Sequence, residues 1–521
     1  MRRCFSLVPT LSVALSAVLG VAPASAQRAP VGCANLKLRP PAHTSIARAE
    51  LVPAGTFTPP VPNMFGPPTD YSTLPAFCRV VGSIKPSADS DIRFELWLPA
   101  AGWNGTFLQT GNGGAAGSID YGSMATPLSR GFAVTNTDTG HEGTPDDFSW
   151  VVGHPERFTD FAYRAVHELT VVGKALTAEH YGRAPVKAYW EGCSTGGRQG
   201  LMEAQRYPED YDAIIAGAPA SNWTPLMALG VLIQRTVSGP DGLSAESLTL
   251  LHESALAQCD ALDGVKDRVI TDPTRCAFTP ASIRCAPGVA SGCLSAGAVA
   301  AAERMYRGVV SRDGTVRIPG TGPGSEPLWG AYAGPFQIGS NYFRYVVARD
   351  PQWTPARFDV DADLARAGQL QVAAPDAMNP DLGRFFARGG KLLTYHGTTD
   401  GLIPYGNSVN YYKSVVAKLG NEKVERSARL YLVPGMDHCF DGEGAFVIDW
   451  LRALDEWAKS GTAPDAVPAR HPAQVAARPS GAAPTVASKA FTRPVCPYPK
   501  MAKYTGSGDT ADASNFACAM P

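Results

Sequence analysis

No stretch beyond residue 26 reaches about 18 uninterrupted apolar residues, so no later segment reads as a membrane-spanning helix. Neither sign of charge dominates: 46 Lys and Arg stand against 47 Asp and Glu, a formal net charge of −1. An electrostatic nucleic-acid binder would carry a basic face, and that class is set aside. The balance gives no reason to expect an anionic membrane partner. No two cysteines are spaced C-x-x-C, which removes zinc knuckles and thioredoxin-like redox motifs. Internal repeats are absent as well.

What is there describes an exported globular chain. Its 521 residues are 45% hydrophobic and 18% charged, enough for a large core. Arg2 and Arg3 precede an apolar run from Leu7 to Val21, and Ala24-Ser25-Ala26 forms an A-x-A cleavage site. Residues 1–26 are therefore expected to be a signal peptide, with Gln27 opening a soluble mature chain in the periplasm or outside the cell. Of 11 cysteines, Cys4 leaves with that segment. The other ten suggest disulfides in an exported protein. Counting does not set their connectivity. Proximity in the chain suggests Cys259–Cys276, Cys285–Cys293 and Cys496–Cys518.

Strand patterns run over Phe94–Leu98, Thr106–Thr110, Gly131–Thr135 and Tyr211–Gly217, and a helical period covers Phe161–Tyr181. Such alternation predicts an α/β fold with a mostly parallel sheet in a first part, residues 27–221. The regularity fades over 222–382, a stretch with four cysteines and many glycines and prolines, read as an inserted lid domain. It resumes over 383–521. There, Lys391–Tyr395 and Ala428–Val433 read as strands, and Pro404–Leu419 and Gly444–Lys459 as helices. The Ala/Pro-rich segment Ala463–Pro484 reads as an extended surface strap, followed by a disulfide-clipped tail.

The segment most telling for chemistry is Gly192-Cys193-Ser194-Thr195-Gly196-Gly197, after the apolar Lys187–Glu191 and before a helix-like run. Strand, G-x-S-x-G and helix together are the context of a nucleophile elbow. In α/β-hydrolases the triad follows in the order Ser, Asp/Glu, His. Asp400 stands after the strand Lys391–Tyr395, and His438 after Ala428–Val433, so Ser194, Asp400 and His438 are the candidate triad. Ser194 as a plain helix N-cap, and Asp437 or His396 as substitute triad members, are the alternatives. The N–H of Thr195 and one from the loop Gly111–Gly117, at Gly114, are the candidate oxyanion hole. Cys193 and Cys439 flank Ser194 and His438, so a triad would bring them within bonding reach, leaving Cys33–Cys78 as the fifth pair. In the lid, Asp260, Asp263 and Asp267 surround a glycine turn. They could offer carboxylates to calcium, with Val265 and Val269 giving carbonyls; spacing alone fits a solvated acidic turn equally well.

These residues resemble the tannase and feruloyl esterase family of serine hydrolases over nearly all of the mature chain. The resemblance rests on Gly192–Arg198, Asp400–Pro404, Pro434–Cys439, Cys259–Val269 and Arg493–Pro499. It implies an α/β-hydrolase fold with a large lid, the Ser194–Asp400–His438 triad, and the Cys193–Cys439 bridge. It also implies oxyanion donors Gly114 and Thr195, a structural Ca2+ in the lid, and the five disulfides paired as above. The substrates implied are esters of aromatic acids such as gallate and ferulate, and in one branch mono(2-hydroxyethyl) terephthalate. That branch holds the free carboxylate with a lid arginine; Arg344 and Arg349 are the candidates here. Trp329, Tyr332, Phe336, Tyr342 and Phe343 could stack on an acyl ring or serve as lid core. The expected activity is that of a serine carboxylesterase. A catalytically silent secreted binding module and a serine peptidase on the same fold are the rivals.

Overall fold

A computed structural model describes residues 1, 32–33, 40–63, 68–239, 242–334, 336–370, 375–473 and 490–521. The expected signal peptide beyond Met1, and the second half of the expected strap, lie outside these residues.

In chain order the strands are β1 (Thr44–Val52), β2 (Phe77–Ile84), β3 (Ile92–Pro99), β4 (Thr106–Thr110), β5 (Ala133–Thr137), β6 (Lys187–Cys193) and β7 (Ala213–Gly217). A small hairpin, β8 (Val309–Val310) and β9 (Val316–Ile318), precedes β10 (Lys391–Gly397) and β11 (Ala428–Val433). One nine-stranded sheet has the order β1-β2-β3-β5-β4-β6-β7-β10-β11. Its first three strands pair antiparallel, and β3 joins β5 antiparallel. From β5 to β11 all neighbours are parallel.

Helices cover both faces, which is why the central strands read as continuous apolar runs. All five residues of β4 and of β7 are buried. Within β6, Ala188 and Trp190 point to one helical layer and Tyr189 to the other. The first layer holds Ala165–Tyr181, Thr195–Arg206 and Tyr405–Leu419; the second holds Tyr121–Ser129 and Trp450–Ser460.

Between β7 and β10 the chain forms helices Trp223–Ser238, Ala245–Cys259, Ala296–Arg307 and Val360–Gln369. They enclose a core with Trp223, Trp329, Phe343 and Trp353, which also takes in Ala115, Phe148 and Phe161 of the sheet region. From residue 260 to 283 this region has only short 3-10 turns. Cys259–Cys276 and Cys285–Cys293 tie this irregular part together. The remaining bridges are Cys33–Cys78, Cys193–Cys439 and Cys496–Cys518. No helix among the described residues is long and apolar enough to cross a membrane.

Beyond shifts of one or two residues at element ends, four elements differ from the sequence expectation. The helix expected at Gly444–Lys459 begins at Trp450, because Asp449 caps it by accepting the Arg452 N–H at 3.0 Å. Val447–Ile448 instead pairs with residues 469–470. The strap is not simply extended: Val467–His471 is the middle strand of a three-stranded sheet, between Val447–Ile448 and Phe491–Val495. Strands β1 and β2 precede the first strand expected; β2 buries Cys78, Val80, Gly82 and Ile84 in strict alternation, but Gly82 brings no apolar side chain to mark that face in the sequence.

Candidate active site

Parallel strands deliver their following loops to one edge of the sheet, where open α/β folds place their ligands. Ser194 follows β6, Asp400 follows β10, His438 follows β11, and the glycine loop follows β4. Adjacent β10 and β11 pair in register to Gly397 and Val433, so the Asp400 and His438 loops leave the sheet at one level. Likewise β4 neighbours β6, which sets the glycine loop beside Ser194.

Ser194 sits at φ 62°, ψ −121°, a strained conformation for a residue with a side chain. Hydrogen bonds hold it there: its N–H donates to the Gly217 carbonyl at 2.9 Å, and its carbonyl accepts from Ala220 N at 3.1 Å. The helix Thr195–Arg206 starts at once. Gly197 lies so close to the end of β7 that a Cβ would stand 2.2 Å from the Gly217 carbonyl oxygen. Gly197, immediately after the G-x-S-x-G motif, is therefore a packing requirement of the turn.

His438 Nδ1 lies 2.7 Å from Asp400 Oδ2. Asp400 is fully buried, and its Oδ1 accepts the N–H groups of Leu402 at 2.9 Å and Ile403 at 2.8 Å. Burial would raise the Asp400 carboxyl. The facing His438 and the hydrogen bonds from His396 and His438 outweigh it, holding the group well below the usual carboxylate range. Such an aspartate stays ionised and orients an imidazole. The bridge Cys193–Cys439, with Cα atoms 6.0 Å apart, ties the residue before Ser194 to the residue after His438.

The alternatives take other places. Asp437 is buried, and its Oδ1 accepts from Thr399 Oγ1 at 3.0 Å. His396 is fully buried, with Nδ1 2.8 Å from Ser408 Oγ and Nε2 2.9 Å from the Ile403 carbonyl. That same Nε2 is 3.2 Å from Asp400 Oδ2, so His396 supports the aspartate from behind.

Thr195, the first residue of its helix, has an N–H without an intrahelical acceptor. Its hydroxyl donates to the Gly114 carbonyl at 2.6 Å, locking the glycine loop to the elbow. Gly114 has φ +54°, and a Cβ there would meet the Pro145 carbonyl oxygen at 2.2 Å. Beneath the loop, His141 Nε2 bonds the Ala115 carbonyl at 2.8 Å while the ring stacks on Trp150 at 3.6 Å. Burial pushes the His141 imidazole down to about 3, so it serves as a neutral prop. The sequence shows only a polar loop at this histidine.

A second group escapes sequence reading altogether. His252 of the insertion lies 3.4 Å from Glu326 and 3.1 Å from Glu443, and Glu443 is in the loop that carries His438. Arg268 reaches Glu443 at 2.8 Å and Glu253 at 2.7 Å. No periodicity or motif marks His252, Glu326 or Glu443, and Arg268 falls in the segment Cys259–Val269 without an expected role of its own.

The expected calcium loop has an all-oxygen donor set around Gly264, at φ +89°. Asp263 Oδ1 accepts from Val265 N at 2.9 Å, Asp260 Oδ1 from Asp267 N at 3.1 Å, and Asp267 Oδ1 from Val269 N at 3.2 Å. Burial raises the Asp267 carboxyl, and the charges of Asp263 and Asp260 add to the rise although Arg493 opposes it. Three carboxylates crowded in this way suit a hard cation. Their oxygens are nevertheless not the tightest such group: among the described residues, only His167, Glu203 and Asp210 bring three ligand atoms within 4.8 Å of one another.

Of the aromatic candidates, Trp329 and Phe343 are wholly buried in the insertion core, and Phe336 packs on Tyr332. Tyr332 donates its hydroxyl to the Leu402 carbonyl at 3.1 Å, beside the Asp400 turn. Arg344 bonds the Trp353 carbonyl at 3.1 Å and Asn341 at 3.2 Å, so its guanidinium is engaged within the insertion. Arg349 and Tyr342 line a cavity of about 550 Å³ whose walls do not include Ser194, Asp400 or His438.

A sequence model described as "Tannase and feruloyl esterase" matches residues 78–519. The chain belongs to the tannase and feruloyl esterase family. An uncharacterized esterase of Xanthomonas campestris pv. campestris is 35% identical, over 98% of this chain and 94% of that protein. A probable feruloyl esterase B-2 of Aspergillus terreus is 36% identical, over 87% and 88% respectively. The crystal structure of feruloyl esterase B from Aspergillus oryzae superposes with a TM-score of 0.83 at 32% identity, covering 92% of this chain and 97% of that one. For a member of this family, the assembly at the carboxyl edge of the sheet is the place to look for ester chemistry.

Proposed function

We propose that the protein is an exported serine carboxylic ester hydrolase that cleaves esters of aromatic acids, of the feruloyl, hydroxycinnamoyl or galloyl type, through an acyl-enzyme. The 2.7 Å contact between His438 Nδ1 and Asp400, on a chain whose disulfide joins the Ser194 turn to the His438 loop, carries this reading. Named feruloyl esterases at 34–36% identity support the acyl class. Five disulfides favour an oxidising compartment.

The chemistry runs from Ser194. Its hydroxyl attacks the ester carbonyl as His438 Nε2 takes the proton. Asp400 holds Nδ1–H and stabilises the imidazolium. The N–H groups of Thr195 and Gly114 receive the developing oxyanion. His438 returns the proton to the leaving alcohol, water repeats the sequence on the acyl-Ser194 ester, and the aromatic acid departs. Asp260, Asp263, Asp267 and the carbonyls of Val265 and Val269 would hold Ca2+, which when bound neutralises the crowded carboxylates of the loop. Chelation with EGTA is expected to lower the unfolding temperature, and added calcium to restore it; no shift on chelation would refute the calcium assignment.

Turnover of methyl ferulate, methyl gallate, chlorogenate and mono(2-hydroxyethyl) terephthalate by wild type and Ser194→Ala tests the whole reading. The wild type should favour a hydroxycinnamate or gallate, and the variant should lose about 10⁴-fold or more in kcat. A folded wild type inert on every ester would sink the proposal.

A further inference from the structure

Far from the ester site, three ligating side chains meet at the other end of the elbow helix. His167 stands on the helix Ala165–Tyr181, Glu203 on Thr195–Arg206, and Asp210 in the turn before β7. One ligand atom from each lies within 4.8 Å of the other two. His167 Nδ1 is 2.6 Å from Asp210 Oδ2, and the imidazole is fixed by stacking on Tyr207, ring centroids 3.8 Å apart.

Glu203 makes this more than a cluster of polar groups. It is 1% exposed, and neither carboxylate oxygen accepts from a donor; the Asp210 carboxylate is the polar group beside it. A buried carboxylate without a donor is costly. Here it faces a second carboxylate, and two facing carboxylates need positive charge between them: a shared proton or a metal ion. Lys174, the nearby ammonium, donates to the Asp210 main-chain carbonyl and leaves both Glu203 oxygens without a donor.

We propose that His167 Nδ1, Asp210 and Glu203 form a site for a divalent transition metal of the zinc type. One imidazole nitrogen with two carboxylate oxygens suits zinc and its borderline neighbours better than calcium, which prefers oxygen alone. Bonds of about 2.0–2.2 Å set tetrahedral ligand atoms about 3.5 Å apart, so side-chain movements of about 1 Å close the site from a spacing within 4.8 Å. The His167 side chain is 28% exposed and Asp210 13%, so the ion can enter from solvent and keep a water as a further ligand. To bind, the imidazole presents a bare Nδ1 to the ion and carries its single proton on Nε2. Glu203 follows Ser194 by nine residues, about 13 Å along the helix, so the ion would pin the far end of the elbow helix and take no part in ester chemistry.

The test uses the full chain, stripped by chelator and refilled with excess calcium so that the lid loop is occupied. Zn2+ is then titrated by calorimetry, with metal content by mass spectrometry, and Co2+ substitution is followed by its visible absorption. One zinc per chain is expected in the wild type. His167→Ala and Glu203→Gln should each weaken it more than about tenfold while ester turnover persists as proof of folding. If His167→Ala fails to fold, Asp210→Asn serves in its place. The proposal is overturned if the wild type takes up no zinc, which would assign the shared proton to the carboxylate pair. Unchanged zinc affinity in the folded variants would overturn it equally.

Discussion

Asp400 shows how a single side chain is prepared for its task. Burial alone would favour the neutral acid, yet two backbone N–H groups and two imidazoles face it, and the carboxylate form prevails. Replacing it by Asn keeps the shape but removes the charge and favours the wrong His438 tautomer. Asp400→Asn is therefore expected to lower kcat by about 10⁴-fold with little change in KM; steady-state kinetics on a methyl ester checks it, and near-normal turnover would remove Asp400 from the triad. At this scale the sequence was informative where a residue type and its place after a strand coincide, as for Ser194, Asp400 and His438. It was silent on His141 and on the contact between His396 and Asp400, because both depend on where a ring points once the loops are packed.

Between elements, the ion network of His252, Glu326, Glu443 and Arg268 joins the insertion to the His438 loop. Burial would lower the His252 imidazole, but hydrogen bonds and charge from Glu326 and Glu443 push it up to about 10. A group raised on folding contributes stability that is whole below its unfolded value, about 6.5, and is lost as pH climbs through the folded value. Glu443 is lowered in the same contact, so its share is present above about 4.5 and is lost in acid. The tie is thus complete near pH 5–6 and gone above about pH 10. His252→Gln should lower the unfolding temperature at pH 6 and have no effect above pH 10; thermal melts across that range decide, and an equal loss at both ends would contradict the linkage. Apolar periodicity made the elements of the sheet legible, whereas the start of the helix Trp450–Ser460 was set by a cap and by a pairing with residues 469–470.

Across the whole molecule, Cys193–Cys439 spans 246 residues and the entire insertion. Closing so long a loop restricts the unfolded chain, so the paired substitution Cys193→Ser with Cys439→Ser should cost about 2–5 kcal/mol. Because the bridge also joins the Ser194 turn to the His438 loop, kcat should fall too. Denaturant unfolding with parallel kinetics reads both, and a variant with unchanged stability and kcat would make the bridge incidental. The sequence by itself determined the α/β alternation, the elbow and its glycines, and the family, since strand period, turn chemistry and motif spacing are local properties of the chain. Only the tertiary structure decided which strands are neighbours. That adjacency puts the glycine loop beside Ser194 and the Asp400 turn beside His438. It likewise decided which insertion residues face the His438 loop and that Glu203 is buried beside His167 and Asp210. Such contacts join residues tens to hundreds of positions apart, and their energies arise only when packing removes the water between them.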